Sequence, residues 1–242
     1  MEQFFIEKEN IKGDCLFIRE SEAHHLKDVL RYKKGGILNL FDGEGGVYRG
    51  EILELRGKEV KVKILNKKCK EKNPPFFHLV QAIPKREKMD LVVEKVTELG
   101  VEEIIPVITE RTVILPDREK GEKLLERWRK ISLSAVKQSK RLFLPKINEI
   151  KEWSQVFKEI PASASLFIPS LEEKGIAFKE IDWGKLSKDI YIFIGPEGDF
   201  TKKEIQKAKE KGAIPVSLGE AVLRSETAAI YLLSVLNYEL KS

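Results

Sequence analysis

A small all-β domain followed by a larger α/β domain is the fold this sequence predicts, and three observations predict it. Up to Lys72 the chain alternates apolar and polar residues in short runs separated by Gly-bearing turns. From Phe76 onward, short apolar runs alternate with amphipathic stretches at helical spacing. Between the two patterns stands Asn73-Pro74-Pro75, which breaks both strand and helix. The domains are therefore placed at 1–72 and 73–242.

The first domain reads as the strands QFFIE, CLFI, ILNLFD, VYRGEILEL and EVKVKILNKK. Its only helical stretch runs from Ser21 to Tyr32, with Ser21 as N-cap and Leu26, Val29 and Leu30 at helical spacing. The second domain opens with the strand FFHLVQAI and the helix KMDLVVEKVTEL, whose buried face is Val92, Val96 and Leu99 and whose stop is Gly100. The strand EEIIPVIT follows, then a long helix over about Glu119–Ser139 with the stripe Leu124, Trp128, Ile131 and Ala135. ASLFIP, DIYIFI and AIPVSL complete the strands, and KEWSQVFKEI, TKKEIQKAKEK and ETAAIYLLSVLNYEL the helices. Strands alternating with helices predict a largely parallel sheet covered on both faces.

The 242 residues, 42% hydrophobic and 34% charged, can bury a sizeable core, which excludes a disordered chain. No apolar run approaches the roughly 20 residues a bilayer requires, and MEQFFIEKEN lacks a secretory leader's features, so no membrane partner is expected and the cytoplasm is the expected location. Two cysteines, Cys15 and Cys69, and 3 histidines form no ligand spacing, so no metal is expected. The net charge of +5 matters only where the surplus is clustered. It is clustered from Arg127 to Lys146, where Arg127, Arg129, Lys130, Lys137, Lys140, Arg141 and Lys146 meet no acidic residue. A solvated helix face normally mixes signs, so this run predicts phosphate contact. His24, His25, Lys27 and Arg31 form a second basic group that either touches RNA backbone or is helix surface.

Two loops carry the candidate chemistry. The strand YIFI ends in Gly195-Pro196-Glu197-Gly198, after which Thr201 opens a helix with Glu204 completing a capping box. Gly195 and Gly198 remove side chains where a ligand or another backbone approaches, although a tight strand-to-helix turn is the alternative reading. The spacing matches neither dinucleotide nor P-loop fingerprints. The second loop, GEAVLRSETA, follows AIPVSL, and its Arg224 either pairs with an anion or carboxylate or is a solvated loop charge. The helix after it is apolar nearly all round and must bury more than one side, in the core or against a second subunit.

IGPEGDFTKKE and SLGEAVLRSETA resemble the paired signature of SPOUT-class RNA methyltransferases. HHLKDVLRYKKGG, KVTELGVEEIIPVITER and AVKQSKRLFLP extend the resemblance over essentially the whole chain, to the ribosomal small subunit methyltransferase E family. The resemblance implies a PUA-like β-barrel followed by a SPOUT domain whose segment from about 164 to 242 is threaded into a trefoil knot, where periodicity alone gives an open α/β sheet. It implies S-adenosylmethionine (SAM) as cofactor, a homodimer joined through the last helix, and methylation of N3 of one uridine in 16S ribosomal RNA of the small subunit. The SAM contacts it implies are Gly195, Pro196, Glu197, Gly198, Leu218, Gly219, Leu223 and Arg224, with Leu171 added either as an apolar wall for the adenine or as a packed loop leucine. The chemistry of N3 deprotonation makes Arg224 the candidate for stabilising the uracil anion and Glu197 for orienting Arg224 or acting as base. The RNA-contacting candidates come from the two basic groups, His25, Lys27 and Arg31 in one and Arg127, Lys130, Lys137, Lys140 and Arg141 in the other, with Gln138; Gln138 and Arg141 also fall on the family-like AVKQSKR stretch. One position departs: the family reads GPEGGF where this chain has GPEGDF, which places Asp199 where a glycine stands. Competing readings are a non-catalytic RNA-binding module that has lost donor binding through Asp199, and a SPOUT methyltransferase with another RNA target.

Overall fold

The computed structural model describes residues 3–85, 88–171, 173 and 175–241. Its first sheet contains β1 (Gln3–Phe5), β2 (Ile11–Lys12), β3 (Cys15–Arg19), β4 (Ile37–Phe41), β5 (Gly46–Arg56) and β6 (Glu59–Cys69), in the order β1-β4-β5-β6-β3-β2. β1 lies parallel to β4, and the remaining pairs are antiparallel. Alternate residues on these strands, among them Leu16 and Ile18, Leu38 and Leu40, Val60 and Val62, bury one face around Phe4 and Ile52. Among the described residues β1 and β2 do not pair with each other, so backbone hydrogen bonds do not close the sheet into the ring that a barrel implies.

The expected helix from Ser21 to Tyr32 is shorter and irregular. α1 spans Glu20–His24 and passes into a π-helical turn over His25–Val29, with Leu30 N–H donating to the His25 carbonyl at 2.9 Å. Ser21 lies inside the first turn and is therefore not the N-cap. The turn ends at Arg31, whose φ of 54° is left-handed and cannot continue the helix.

The second sheet follows the order β10-β8-β7-β13-β11-β14-β12, and all its pairs are parallel. Its strands are β7 (Phe76–Ala82), β8 (Glu103–Ile108), β9 (Lys146–Ile147, beside β8), β10 (Lys151–Glu152), β11 (Ser165–Pro169), β12 (Ile176–Ala177), β13 (Asp189–Ile194) and β14 (Ala213–Ser217). The helices are α2 (Lys88–Glu98), α3 (Arg118–Ser139), α4 (Trp153–Val156), α5 (Lys202–Glu210) and α6 (Ser225–Lys241). Strand alternation assigns the faces: Phe77, Leu79, Ile190, Ile192 and Ile194 pack with Val92, Trp128, Leu232 and Leu236 of α2, α3 and α6. Val80, Ala82 and Phe193 pack with Trp153, Ile205 and Ala208 of α4 and α5. α4 is one turn long, shorter than KEWSQVFKEI predicts, although the capping box of Glu152 and Gln155 forms; the chain reaches Pro161 soon after and leaves helical geometry beforehand.

By contacts the chain forms two units, Met1–Lys72 with Val136–Leu144, and Asn73–Ala135 with Pro145–Ser242. The last turn of α3 and the segment after it, expected in the second domain, therefore belong with the first: Gly45 N–H donates to the Leu142 carbonyl at 3.2 Å and Leu144 N–H to that of Gly43 at 2.8 Å. Among the described residues no helix is long and apolar enough to cross a membrane.

At the amino-terminal ends of β7, β8 and β13 a buried histidine links two carboxylates. His78 Nδ1 lies 2.9 Å from Glu103 and Nε2 3.1 Å from Asp189, and its ring stacks on Tyr191 at 4.3 Å. Carboxylates on both sides of the ring favour its doubly protonated, charged form, in which each nitrogen donates. Burial opposes that charge, but the hydrogen bonds to Glu103 and Asp189 outweigh it and raise the His78 pKa. Burial likewise opposes the Glu103 charge, yet hydrogen bonds from His78, Asn148 and Lys146 pull it down to about 2. The His78 contribution is present at low pH and disappears as pH rises through its raised pKa, whereas that of Glu103 is present above its unfolded value and disappears as pH falls towards about 2. Glu103→Gln should lower the unfolding free energy by on the order of 2 kcal/mol where both groups are charged. Urea midpoints measured across pH should show that difference shrinking towards both extremes.

Candidate active site

Because β11, β13 and β14 are parallel neighbours, their carboxyl ends bring three loops together: 169–171, 195–199 and 218–224. Together they enclose a cavity of about 250 Å³. Its floor is apolar, made by Ile194, Val216 and Ala228, and its rim carries Leu171, Val222 and Leu223. Gly195 is there because a Cβ would come 3.3 Å from both the Phe200 ring and the Asp199 carboxylate. Gly219 adopts φ +111°, closed to ordinary side chains. Thr201 caps α5 through the predicted box with Glu204, which fixes the far side of the first loop.

Beneath the cavity, one hydroxyl connects three elements. The Nε2 group of Gln81, fully buried on β7, donates to Ser225 Oγ at 2.9 Å, and Ser225 Oγ donates to the Gly195 carbonyl at 2.6 Å. Glu197 is held from another direction, accepting from Lys85 N–H at 2.9 Å and from Lys88 Nζ at 3.2 Å. Lys88 also lies 3.4 Å from the buried Glu226. Burial opposes the Glu197 charge, but its own N–H, that of Lys85 and the Lys88 ammonium outweigh it and hold its pKa below the usual carboxylate range.

Of the residues expected to contact SAM, Leu171, Gly195, Pro196, Glu197, Leu218, Gly219, Leu223 and Arg224 line this cavity. Gly198 does not: it faces Arg111, whose side chain lies 3.4 Å from where a Cβ would stand and whose Nη1 donates to the Gly198 carbonyl at 2.6 Å. Among the described residues Glu197 makes no contact with Arg224; its Oε1 is held by Lys85 and Lys88 instead. Among the described residues the exposed Arg224 guanidinium takes no ion pair, while its carbonyl accepts from Ala228 N–H at 2.8 Å. Asp199, noted in the sequence only as a departure, and Ser225 also line the cavity, as does Ser170, and Gln81 and Lys88 support it; Ser170, Gln81 and Lys88 are brought to the loops only by the folded register.

The basic run from Arg127 is less open than its sequence suggests. Arg127 pairs with Asp90, Lys137 with Glu22 at 2.6 Å and Lys146 with Glu103 at 3.2 Å. Lys130, Gln138 and Lys140 are exposed and Arg141 half-buried. Lys27 donates to the Gly57 carbonyl at 2.6 Å, His25 is half-buried and tilted against Phe4, and Arg31 is exposed. The Lys137 to Glu22 pair sets α1 beside the end of α3, which brings the His25, Arg31 and Lys140 candidates into one unit.

Residues 71–237 match the family model of an RNA methyltransferase domain, and residues 18–65 that of an RNA methyltransferase PUA domain. The class is thus an RNA methyltransferase with a PUA domain at its amino-terminal end. The ribosomal RNA small subunit methyltransferase E of Aquifex aeolicus is 32% identical, covering 94% of this chain and 96% of that protein. That of Bacillus subtilis is 27% identical over 99% of this chain and 97% of its own length. The crystal structure of the Neisseria gonorrhoeae enzyme bound to SAM superposes with a TM-score of 0.87 at 29% identity, covering 99% of this chain and 98% of that one. This chain belongs to the ribosomal RNA small subunit methyltransferase E family.

The Gln81, Ser225 and Gly195 relay has a measurable role. Ser225→Ala leaves a buried amide and a carbonyl without their shared partner and should lower the unfolding free energy by about 1–3 kcal/mol, read from denaturant midpoints at unchanged slope.

Proposed function

We propose that this protein transfers the methyl group of SAM to N3 of a uridine in 16S ribosomal RNA of the small subunit, as a homodimer in the cytoplasm. The observation that carries the reading is the cavity itself: an apolar floor and rim suit an adenine and a methionine chain, and backbone groups of residues 195–197 and 218–219 supply donors and acceptors for their polar edges. When bound, SAM supplies an electrophilic methyl group. Leu171, Gly195, Pro196, Leu218, Gly219 and Leu223 are the residues that would hold it. Glu197 stays ionised and fixes the 195–198 loop to Lys85 and Lys88, a positioning role. Arg224, exposed on the rim, sets a fixed positive charge where loss of the N3 proton leaves negative charge on the uracil oxygens.

Strand order supports the finer reading of the fold as SPOUT with a knot over about 164–242. β11 lies between β13 and β14, so the chain leaving β13 crosses β11 to reach β14, and α6 then returns against β13 and β7. For the homodimer, α6 buries Leu232, Leu233 and Leu236 but exposes Tyr231 and Tyr238, seven positions apart on one face, with Tyr238 74% exposed. For ribosomal RNA, the exposed cations Arg31, Lys130 and Lys140 and the half-buried Arg141 supply phosphate contacts.

Arg224→Ala should keep its fold and SAM affinity yet lose methyl transfer to small-subunit particles by roughly 100-fold or more. Labelled SAM with unmodified particles, followed by mapping of the methylated base, measures both the loss and the target. RNA binding should fall roughly tenfold or more between about 50 and 200 mM salt. A flat dependence would remove the basic residues from recognition.

A further inference from the structure

Asp199 stands at φ 61°, in the left-handed region where glycine is at home and Asp is among the few side chains tolerated. Its N–H donates to the Pro196 carbonyl at 3.0 Å, closing the turn Pro196–Asp199. A glycine would hold that backbone equally well, so the carboxylate has another role. Oδ1 accepts from Phe200 N–H at 2.8 Å. Oδ2 reaches across to the neighbouring loop, accepting from Ser170 Oγ at 3.0 Å and from Leu171 N–H at 2.7 Å. Both oxygens are thus engaged by the protein. Ser170, Leu171 and Asp199 all line the cavity, and Leu171 is 67% exposed, so little packing holds that wall in place. Hydrogen bonds to a carboxylate are among the strong ones, and these two join the wall to the loop.

We propose that Asp199 is a positioning residue whose carboxylate clasps the 170–171 wall to the 195–198 loop and thereby sets how tightly the cavity holds the methyl donor. The proposal rests on the SAM reading above and adds to it a device that glycine at this position lacks.

Asp199→Gly keeps the backbone conformation and removes the clasp. In the ligand-free protein, amide exchange at Leu171 should accelerate in the variant while the protein keeps a cooperative thermal transition. SAM affinity by calorimetry should weaken roughly tenfold, which corresponds to about 1.4 kcal/mol. In turnover, KM for SAM should rise by a similar factor with a much smaller change in kcat. Asp199→Asn, which tolerates the same φ and retains one acceptor oxygen, should fall between the two. Ser170→Ala should weaken SAM binding in the wild-type background and weaken it less when combined with Asp199→Gly, because the Ser170 to Asp199 hydrogen bond is then already absent. Unchanged Leu171 exchange with unchanged SAM affinity in Asp199→Gly overturns the clasp while leaving the SAM reading intact. Accelerated exchange with unchanged affinity overturns its role in donor binding. Absence of any heat when SAM is added to the wild-type protein overturns the SAM reading and this proposal together.

Discussion

The Ser225 hydroxyl, placed between a β7 side chain and a β13 carbonyl, is the constraint on which the site depends. A parallel sheet brings strand ends side by side but leaves the loops beyond them without ladder hydrogen bonds. Ser225 restores one, accepting from Gln81 and donating to Gly195, and because it also begins α6 it fixes where that helix enters. Gln81 is a polar residue on the face of β7 that carries Phe77 and Leu79, and its position on the α6 face follows from strict alternation with Leu79. The register of β7 therefore determines whether the 195–198 loop has an anchor, and a one-residue slip would turn Gln81 to the opposite face.

The two ends of the same sheet divide the work. At the amino-terminal ends, His78, Glu103 and Asp189 form a satisfied charge network with Lys146 and Asn148 around it, far along the strands from the cavity. At the carboxyl ends, charge is arranged differently: Lys88 lies between Glu197 and Glu226, and Arg224 stands exposed. A neutralised network stabilises, whereas a cation left without a carboxylate is available to a ligand. Strand direction keeps the two from competing for the same partners.

What was legible in the sequence was local. Thr201 and Glu204 form the box that their spacing predicts, the stripe around Trp128 and Ala135 is buried, and the loop residues cluster because each follows a strand of one parallel sheet. What was illegible depends on partners distant in sequence. The run from Arg127 contains no acidic residue, yet Asp90, Glu22 and Glu103 reach it from other elements. Ser21 resembles a cap, but Glu20 with φ 51° already starts the helix. Gly198 shares a motif with Gly195 but faces Arg111, because consecutive residues of a tight turn point in different directions.

Asp199 and Glu197 show how far motif reading carries. Both are acidic residues in one loop, and sequence gives them opposite standing, one as a conspicuous departure and the other as a member of the motif. In the fold they act alike: each holds backbone N–H groups of a neighbouring segment, Leu171 for Asp199 and Lys85 for Glu197. Two carboxylates thus brace the loop, Asp199 against the 170–171 segment and Glu197 against Lys85 and Lys88. On the proposed reading, charge stabilisation rests on Arg224. The loop's acidic side chains serve to fix its shape, and that shape sets how its backbone is presented to the cavity.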